Sequence, residues 1–292
     1  MSRAMRMIER ISIAPGAEPT DVPVDITPGV EAYPDAEFVG GRHTYGEALG
    51  IIMMHKYKAR IPGDLGNAET FEFPVRYEVV AEASGTRHRR ADPTLLEPFV
   101  RAALRLQEAG VRGITTSCGF LAFYQDAIAK RVEIPVLTSS LLLIPMVHRM
   151  AGRRGHVGVI TVEGNHLDDR YFEAVGAEDV PIVLAGMEDQ PEFRRAVIDD
   201  GPGVNPRRMA REMVHVARAM LARVPDIHAF VLECTQMPPY AYAIQQVTDR
   251  PVYDITTLSR LVYHSVVRSP FPIRHWWVSR SPRTPQGATG PC

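Results

Sequence analysis

The chain has 292 residues, of which 45% are hydrophobic and 23% are charged, and its formal net charge is −1. This composition is typical of a folded globular protein with about two domains, and it excludes a disordered chain, a coiled coil and a collagen-like fibre. Because the charge is nearly balanced and no apolar run reaches the roughly 18 residues of a membrane-spanning helix, we expect neither a nucleic acid nor a membrane as partner.

The two ends of the chain differ from its middle. Residues 1–44 contain five prolines and no clear hydrophobic periodicity, which predicts an extended N-terminal arm. Residues 268–292 are also rich in proline and form an irregular, basic C-terminal tail. Six acids and no base lie between Arg10 and Arg42, whereas five arginines and no acid follow Asp254. We therefore expect the tail to pack on the arm of its own or a neighbouring subunit, and so to strengthen a homodimer or higher homo-oligomer.

Strand and helix patterns alternate between these ends. In the first half, residues 45–150, the predicted strands are Ala48–Met54, Gly113–Ser117 and Ile134–Thr138, and the predicted helices follow Asp92, follow Cys118 and span Leu141–Met150. In the second half, residues 151–267, the predicted strands are Val157–Val162, Pro181–Leu184, His228–Glu233 and Pro251–Asp254, and the predicted helices follow Asn205, follow Cys234 and lie near Thr257–Val267. Such alternation predicts an α/β fold with a parallel sheet in each half.

An internal duplication relates the two halves. A shift of 116 residues superposes six identical pairs without a gap: Cys118 on Cys234, Tyr124 on Tyr240, Ala127 on Ala243, Ile128 on Ile244, Pro135 on Pro251 and Val136 on Val252. Each of the two cysteines therefore follows a strand and precedes a helix. Because ligands bind beyond the carboxyl ends of parallel strands, we expect both cysteines to face one shared cleft between two related lobes.

The paired cysteines indicate acid/base chemistry. A single cysteine is more often a small, inert core residue, but two equivalent thiols on either side of a substrate carbon can act as base and acid. The start of a helix lowers the pKa of a thiol, and its N–H groups suit a substrate carboxylate. This arrangement predicts proton removal next to the carboxylate of a small molecule, with return of the proton from the opposite face.

Three segments carry a resemblance to a known family. GITTSCGF (113–120) and VLECTQMPPYA (231–241) resemble the paired cysteine motifs of the aspartate/glutamate/hydantoin racemase superfamily, and GVITVEGNHLDDRYFEAVG (158–176) is similar to its mid-chain strand, loop and helix. The resemblance covers about residues 45–267. It implies two pseudo-symmetric α/β lobes, an active site between them, no pyridoxal cofactor and no metal. It also implies that Cys118 and Cys234 are the two acid/base residues.

We therefore expect a cofactor-independent racemase or epimerase, that is, an isomerase that inverts a carbon next to a carboxylate or carbonyl. Gln236 replaces an acid that the amino-acid enzymes of the superfamily usually carry, which disfavours a free amino acid as substrate. One alternative is a cis–trans isomerase of the maleate type, which uses one cysteine as nucleophile. Another is a non-catalytic small-molecule-binding homologue, although binding alone does not need two thiols. The second cysteine argues against an arylmalonate decarboxylase.

Polar residues near the strand ends are candidates for binding the substrate. The expected set is Asp64, Asn67, Thr116, Ser117, Gly119, Thr138, Ser139, Thr161 and Thr235. Asp64 and Asn67 belong to a glycine-punctuated loop that also fits an ordinary turn, and the hydroxyls after the strands also fit helix caps. The histidines form no metal-binding motif, so no metal is expected. Three cysteines do not make a disulfide framework, which together with the absence of a signal peptide favours the reducing cytoplasm.

Overall fold

A computed structural model describes residues 34–84 and 91–271. Within these residues, eight strands form two four-stranded parallel sheets. The strands are Leu49–Met54 (β1), Val75–Val80 (β2), Gly113–Thr116 (β3), Val136–Leu137 (β4), His156–Thr161 (β5), Ile182–Gly186 (β6), Ile227–Leu232 (β7) and Val252–Tyr253 (β8). The strand order is β2-β1-β3-β4 in the first sheet and β6-β5-β7-β8 in the second. The predicted α/β fold with two lobes is therefore confirmed. Residues 34–41 are irregular and belong to a separate unit.

Helices connect the strands of both sheets. In the described part of the chain, the α-helices are Leu96–Ala109 (α1), Gln125–Ala129 (α2), Ile144–Met150 (α3), Asp169–Glu173 (α4), Pro191–Phe193 (α5), Pro206–Arg223 (α6), Ala241–Thr248 (α7) and Ile255–Val266 (α8), and a π-helical segment, Arg194–Ile198, continues α5. Short tight turns of 3-10 type precede several of them, at Pro93–Leu95, Gly119–Tyr124, Ser140–Leu143, Gly164–His166 and Pro238–Tyr240. Capping follows the sequence pattern, since the Asp92 and Asn205 side chains accept backbone N–H bonds and Gly110 ends α1 with a φ of 96°.

The two lobes repeat the same order with two different spacings. The first strand pair of each lobe is offset by 107 residues, from β1 to β5 and from β2 to β6, whereas β4 and β8 are offset by 116 residues. The second lobe therefore has nine more residues between the start of its second strand and the start of its fourth strand. This insertion explains why the sequence duplication is visible only from the cysteines onward. The strand β2 is absent from the sequence-based prediction, because it lies at the sheet edge and is only partly buried.

The last helix returns to the first lobe. In α8, the ring of Tyr263 stacks on Phe73 with centroids 3.5 Å apart, and Arg260 lies 3.2 Å from the Glu72 carboxylate. Within residues 34–84 and 91–271, no helix combines the length and the apolar character needed to cross a bilayer. The predicted packing of the basic tail (268–292) on the N-terminal arm (1–44) stays a prediction, because residues 1–33 of the arm and 272–292 of the tail lie outside the described residues.

Candidate active site

The two cysteines occupy equivalent places beyond the strand ends. Cys118 lies two residues after the end of β3, and Cys234 lies two residues after the end of β7. Both line one cavity that opens to solvent. Cys118 is half-buried, whereas Cys234 is buried with 8% of its surface exposed. The structure thus brings the two thiols into the wall of one shared cleft.

Hydrogen bonds between the lobes hold the backbone around each cysteine. The Thr235 hydroxyl donates to the main-chain oxygen of Ser117 over 2.7 Å, and the Ser140 hydroxyl donates to the main-chain oxygen of Leu232 over 2.6 Å. Within the first lobe, the N–H of Met54 donates to the Ser117 hydroxyl over 2.9 Å. These buried bonds fix the spacing between the two cysteine turns, because each turn is tied to the opposing lobe.

The surroundings of Cys234 favour its protonated form. Burial is the largest cause that raises the pKa of the Cys234 thiol, and the neighbouring Glu233 carboxylate adds to it. The backbone N–H of Gln236 and the charge of Lys58 oppose this rise without cancelling it. Burial and then the nearby Cys118 raise the pKa of Tyr171 in α4, so that this phenol stays protonated.

Glu233 is a buried acid in the cavity wall that the sequence analysis missed. Only 1% of its surface is exposed, and the Thr161 hydroxyl donates to its Oε2 over 2.9 Å. The turn after Cys118 approaches it closely, since a Cβ added to Gly119 would lie 2.3 Å from both the main-chain oxygen and the Oε1 of Glu233. A glycine is therefore required at position 119, and the carboxylate lies between the two cysteine turns.

Three cations line the cavity from the segment that follows β1. Lys56 and Lys58 each place Nζ 2.7 Å from a different oxygen of the Asp200 carboxylate, and Arg60 lies 2.7 Å from Asp64. Burial alone would raise the pKa of Asp200, but the hydrogen bonds and the charges of the two lysines together outweigh burial and lower that pKa. The sequence contained a signal for this group, because the chain has only three lysines and two of them are Lys56 and Lys58.

The structure places the expected binding residues in two groups. Five predicted site residues line the cavity: Ser117, Cys118, Gly119, Cys234 and Thr235. Six others do not line it: Asp64, Asn67, Thr116, Thr138, Ser139 and Thr161. The side chains of the second group are engaged in contacts that shape the neighbouring backbone and side chains.

The two loop residues stabilise their own loop. Asp64 is ion-paired with Arg60 and lines a smaller neighbouring cavity, where burial raises its pKa more than Arg60 lowers it. The Asn67 amide donates to the main-chain oxygen of Arg60 over 2.9 Å. Asp64 and Asn67 therefore stabilise an ordinary turn, which was the alternative to substrate binding that the sequence left open for them.

The four hydroxyl residues of this group also bind within the protein. Thr116 donates to the main-chain oxygen of Thr138, and Thr138 donates to the Gln125 side chain. Ser139 accepts the N–H of Leu141 and so caps the following turn. Thr161 donates to Glu233, as described above, and therefore acts on the cavity through that carboxylate.

Comparison with known proteins identifies the relatives of this chain. The profile of the family described as Asp/Glu/Hydantoin racemase matches residues 71–259. A dimethylsulfoniopropionate lyase from Durusdinium sp. clade D is 28% identical over 238 residues, which are 78% of each chain. Dimethylsulfoniopropionate lyase 7 from Emiliania huxleyi is 27% identical over 244 residues, 80% of this chain and 71% of that one. The solved structure of unliganded arylmalonate decarboxylase shares the fold, with a TM-score of 0.53, 14% identity and coverage of 78% of this chain and 95% of that one.

These comparisons confirm the predicted family and contradict the predicted reaction. Similarity to several dimethylsulfoniopropionate lyases contradicts the expected racemase or epimerase activity, and with it the wider assignment to the isomerases, including the maleate-type alternative. The paired cysteine motifs indicate the family and its fold, but they do not distinguish the reactions that the fold supports. Among the described residues, no group of three or more His, Cys, Asp and Glu side chains is arranged to hold a metal ion.

Proposed function

Because this chain belongs to the Asp/Glu/hydantoin racemase family and is similar to dimethylsulfoniopropionate lyases, we propose that it is a lyase acting on dimethylsulfoniopropionate or a close analogue. This substrate is a propionate with a positively charged dimethylsulfonium group on the β-carbon. The observation that carries the proposal beyond similarity is the cavity wall. It combines thiols with a pair of lysines whose ammonium groups share one carboxylate.

The lysine pair is proposed to bind the substrate carboxylate. Lys56 and Lys58 each contact one oxygen of Asp200, which demonstrates a spacing that suits both oxygens of a carboxylate. Asp200 is nearly half exposed at its side chain, whereas the two lysines are largely buried. A substrate carboxylate therefore competes with Asp200 for a site that is already formed, and charge-assisted bonds of this kind are the stronger hydrogen bonds in proteins.

Elimination of dimethyl sulfide from this substrate needs one base. The thiolate of Cys234 removes a proton from the carbon next to the carboxylate, and the electron pair of that C–H bond forms the double bond between the α- and β-carbons. The bond from the β-carbon to sulfur breaks, and its electron pair stays on sulfur. The products are acrylate and neutral dimethyl sulfide, and the proton on Cys234 returns to solvent.

Cys234 is assigned as the base because of its surroundings. The Gln236 N–H is directed at its sulfur, and Lys58 lies close enough to favour the thiolate. A thiol with a raised pKa is also the stronger base once it has lost its proton. Dimethyl sulfide leaves as a neutral molecule, so Cys118 has no proton to deliver. Thiol chemistry needs a reducing environment, and the proposal therefore keeps the cytoplasm as the location.

Headspace measurement of dimethyl sulfide tests this proposal. The wild-type protein is incubated with dimethylsulfoniopropionate beside its Cys234→Ser and Cys118→Ser variants. We expect release by the wild type, a loss of at least about a thousandfold in Cys234→Ser, and a smaller loss in Cys118→Ser. No release by the wild type contradicts the proposed function. A greater loss in Cys118→Ser than in Cys234→Ser contradicts the assignment of the base.

A further inference from the structure

We propose that Glu233 is a specificity-determining residue that binds the cationic group of the substrate. The site would then select small acids that carry an onium group, a sulfonium or a quaternary ammonium, on the β-carbon. This inference rests on the proposed function, because it names the feature of the substrate that the same cavity recognises. It concerns binding, and it can therefore be tested without turnover.

Glu233 lies close to both cysteine turns. It directly precedes Cys234 at the end of β7, lines the same cavity, and is almost fully buried. The absence of a side chain at Gly119 lets the turn of the other cysteine approach this carboxylate. Thr161 holds one of its oxygens from the neighbouring strand β5. The carboxylate is thus fixed at the place where the two lobes bring the thiols together.

The two lobes contribute side chains of opposite charge to the cavity wall. The cations Lys56 and Lys58 follow the end of β1 in the first lobe, whereas Glu233 follows the end of β7 in the second lobe. A cavity with cations on one lobe and an acid on the other is complementary to a zwitterion. In such a partly dehydrated cavity, a carboxylate and a bound cation attract each other more strongly than they do in water.

The chemistry of an onium group fits this wall. A sulfonium or quaternary ammonium has no N–H or O–H to donate, so a protein recognises it by charge and by contact with its methyl groups. The Glu233 carboxylate supplies the charge. The ring of Phe120, which also lines the cavity, supplies an aromatic surface of the kind that attracts organic cations. A primary ammonium would instead call for several hydrogen-bond acceptors.

Binding of the cation also prepares the base. The Glu233 charge raises the pKa of Cys234 after burial has done so. A cation bound against Glu233 offsets that charge and brings a positive group close to the thiol, which favours the thiolate. The onium group of the substrate thus promotes formation of the base that acts on the adjacent carbon.

Two inhibitors that differ only in charge test the inference. They are 3-(trimethylammonio)propionate and its isostere 4,4-dimethylpentanoate, in which an uncharged tert-butyl group replaces the onium group, and their dissociation constants are measured by calorimetry. The wild type should bind the onium acid at least about tenfold more tightly, as expected for one charge-assisted contact. In Glu233→Gln the preference should fall to near unity, while the affinity for the tert-butyl isostere stays the same. The control Glu173→Gln, an exposed acid of α4, should keep the wild-type preference.

The outcomes separate this inference from the proposed function. Equal affinity of the wild type for the two inhibitors overturns the inference and needs no variant, so poor folding of Glu233→Gln leaves the test intact. A preference that persists in folded Glu233→Gln also overturns it. A Glu233-dependent preference without acrylate formation supports the inference and overturns the proposed lyase activity. Acrylate formation from dimethylsulfoniopropionate, together with an unchanged preference in Glu233→Gln, supports the lyase activity and overturns the inference about Glu233.

Discussion

The Thr235 hydroxyl donates a hydrogen bond of 2.7 Å to the main-chain oxygen of Ser117, and this bond joins the residue after one site cysteine to the residue before the other. It crosses from the second lobe to the first, and both residues are buried. The distance between the thiols therefore depends on a contact that either lobe alone cannot make.

Replacement of Thr235 by valine tests the role of this bond. Thr235→Val keeps the side-chain shape but removes the donor, so we expect a loss of about 1–3 kcal/mol in the free energy of unfolding. We also expect kcat for acrylate formation to fall by about tenfold or more, because small misplacements of reacting groups are costly. Urea unfolding and steady-state kinetics measure the two effects.

Thr248→Val is the matched control for this substitution. Thr248 is also buried and also donates over 2.7 Å to a carbonyl, that of Ile244, but both residues lie in α7. We expect a similar loss of stability with kcat nearly unchanged. An equal fall of kcat in both variants would show that stability, and not the contact between lobes, limits the activity.

Lys58 offers a test of carboxylate binding. Its side chain is 8% exposed in the cavity wall and contacts Asp200. Lys58→Met keeps much of the volume and removes the charge, so we expect KM for dimethylsulfoniopropionate to rise by about ten- to a hundredfold. Lys130→Met is the control, because the Lys130 side chain is 75% exposed in an isolated surface pair. Unchanged KM in Lys58→Met would exclude this lysine from substrate binding.

Gly119 tests the close approach of the two cysteine turns. The added methyl of Gly119→Ala would lie 2.3 Å from two oxygens of Glu233, one of them in the main chain. We expect a destabilisation of about 1–3 kcal/mol from overpacking, together with a loss of activity. In the control Gly203→Ala the methyl meets nothing within 4 Å, and both properties should stay close to wild type. Full activity of Gly119→Ala would mean that the turns tolerate separation.

A histidine pair at the opposite end of the second sheet predicts an effect of pH on stability. Burial and then repulsion from His148, whose ring centroid lies 5.9 Å away, lower the pKa of His228 from 6.5. Asp226 and His156 also face His228 and have smaller effects: Asp226 raises its pKa, and His156 lowers it. In the unfolded chain, His228 therefore binds its second ring proton more tightly than it does in the folded protein. The stability that neutral His228 supplies is present above pH 6.5 and is lost as the pH falls below that value.

Urea unfolding between about pH 5 and pH 8 measures this loss. We expect the free energy of unfolding of His228→Gln to depend less steeply on pH below 6.5 than that of the wild type. His264→Gln, an exposed residue of α8, is the control and should keep the wild-type slope. An unchanged slope in His228→Gln would exclude His228 as the titrating group.

The cysteines and the fold were predictable because they depend on local patterns. The placement of Cys118 and Cys234 after buried strands, repeated at one spacing, indicated two lobes and a common cleft. The strand β2 was not predictable in this way, because an edge strand buries only part of its surface and shows no clean alternation. Its counterpart in the second lobe, β6, was predicted, since proline and a continuous apolar run mark its start.

The other site residues depend on long-range contacts. Glu233 at a strand end is, from its sequence, an ordinary charged residue, and its burial follows from Thr161 and Gly119 on other elements. Lys56 and Lys58 were notable only for the rarity of lysine, because their partner Asp200 is more than 140 positions away. The reaction itself was mispredicted, since inversion and β-elimination both begin with removal of the same proton by a thiol.

Proton NMR of the reaction in deuterated water tests the central claim most directly. The wild-type protein is mixed with dimethylsulfoniopropionate, and the signals of substrate, acrylate and dimethyl sulfide are followed together. We predict that acrylate and dimethyl sulfide appear in equal amounts as the substrate disappears, and that Cys234→Ser forms neither. Substrate that remains intact, or that only exchanges its α-protons for deuterium without forming acrylate, would contradict the proposed elimination.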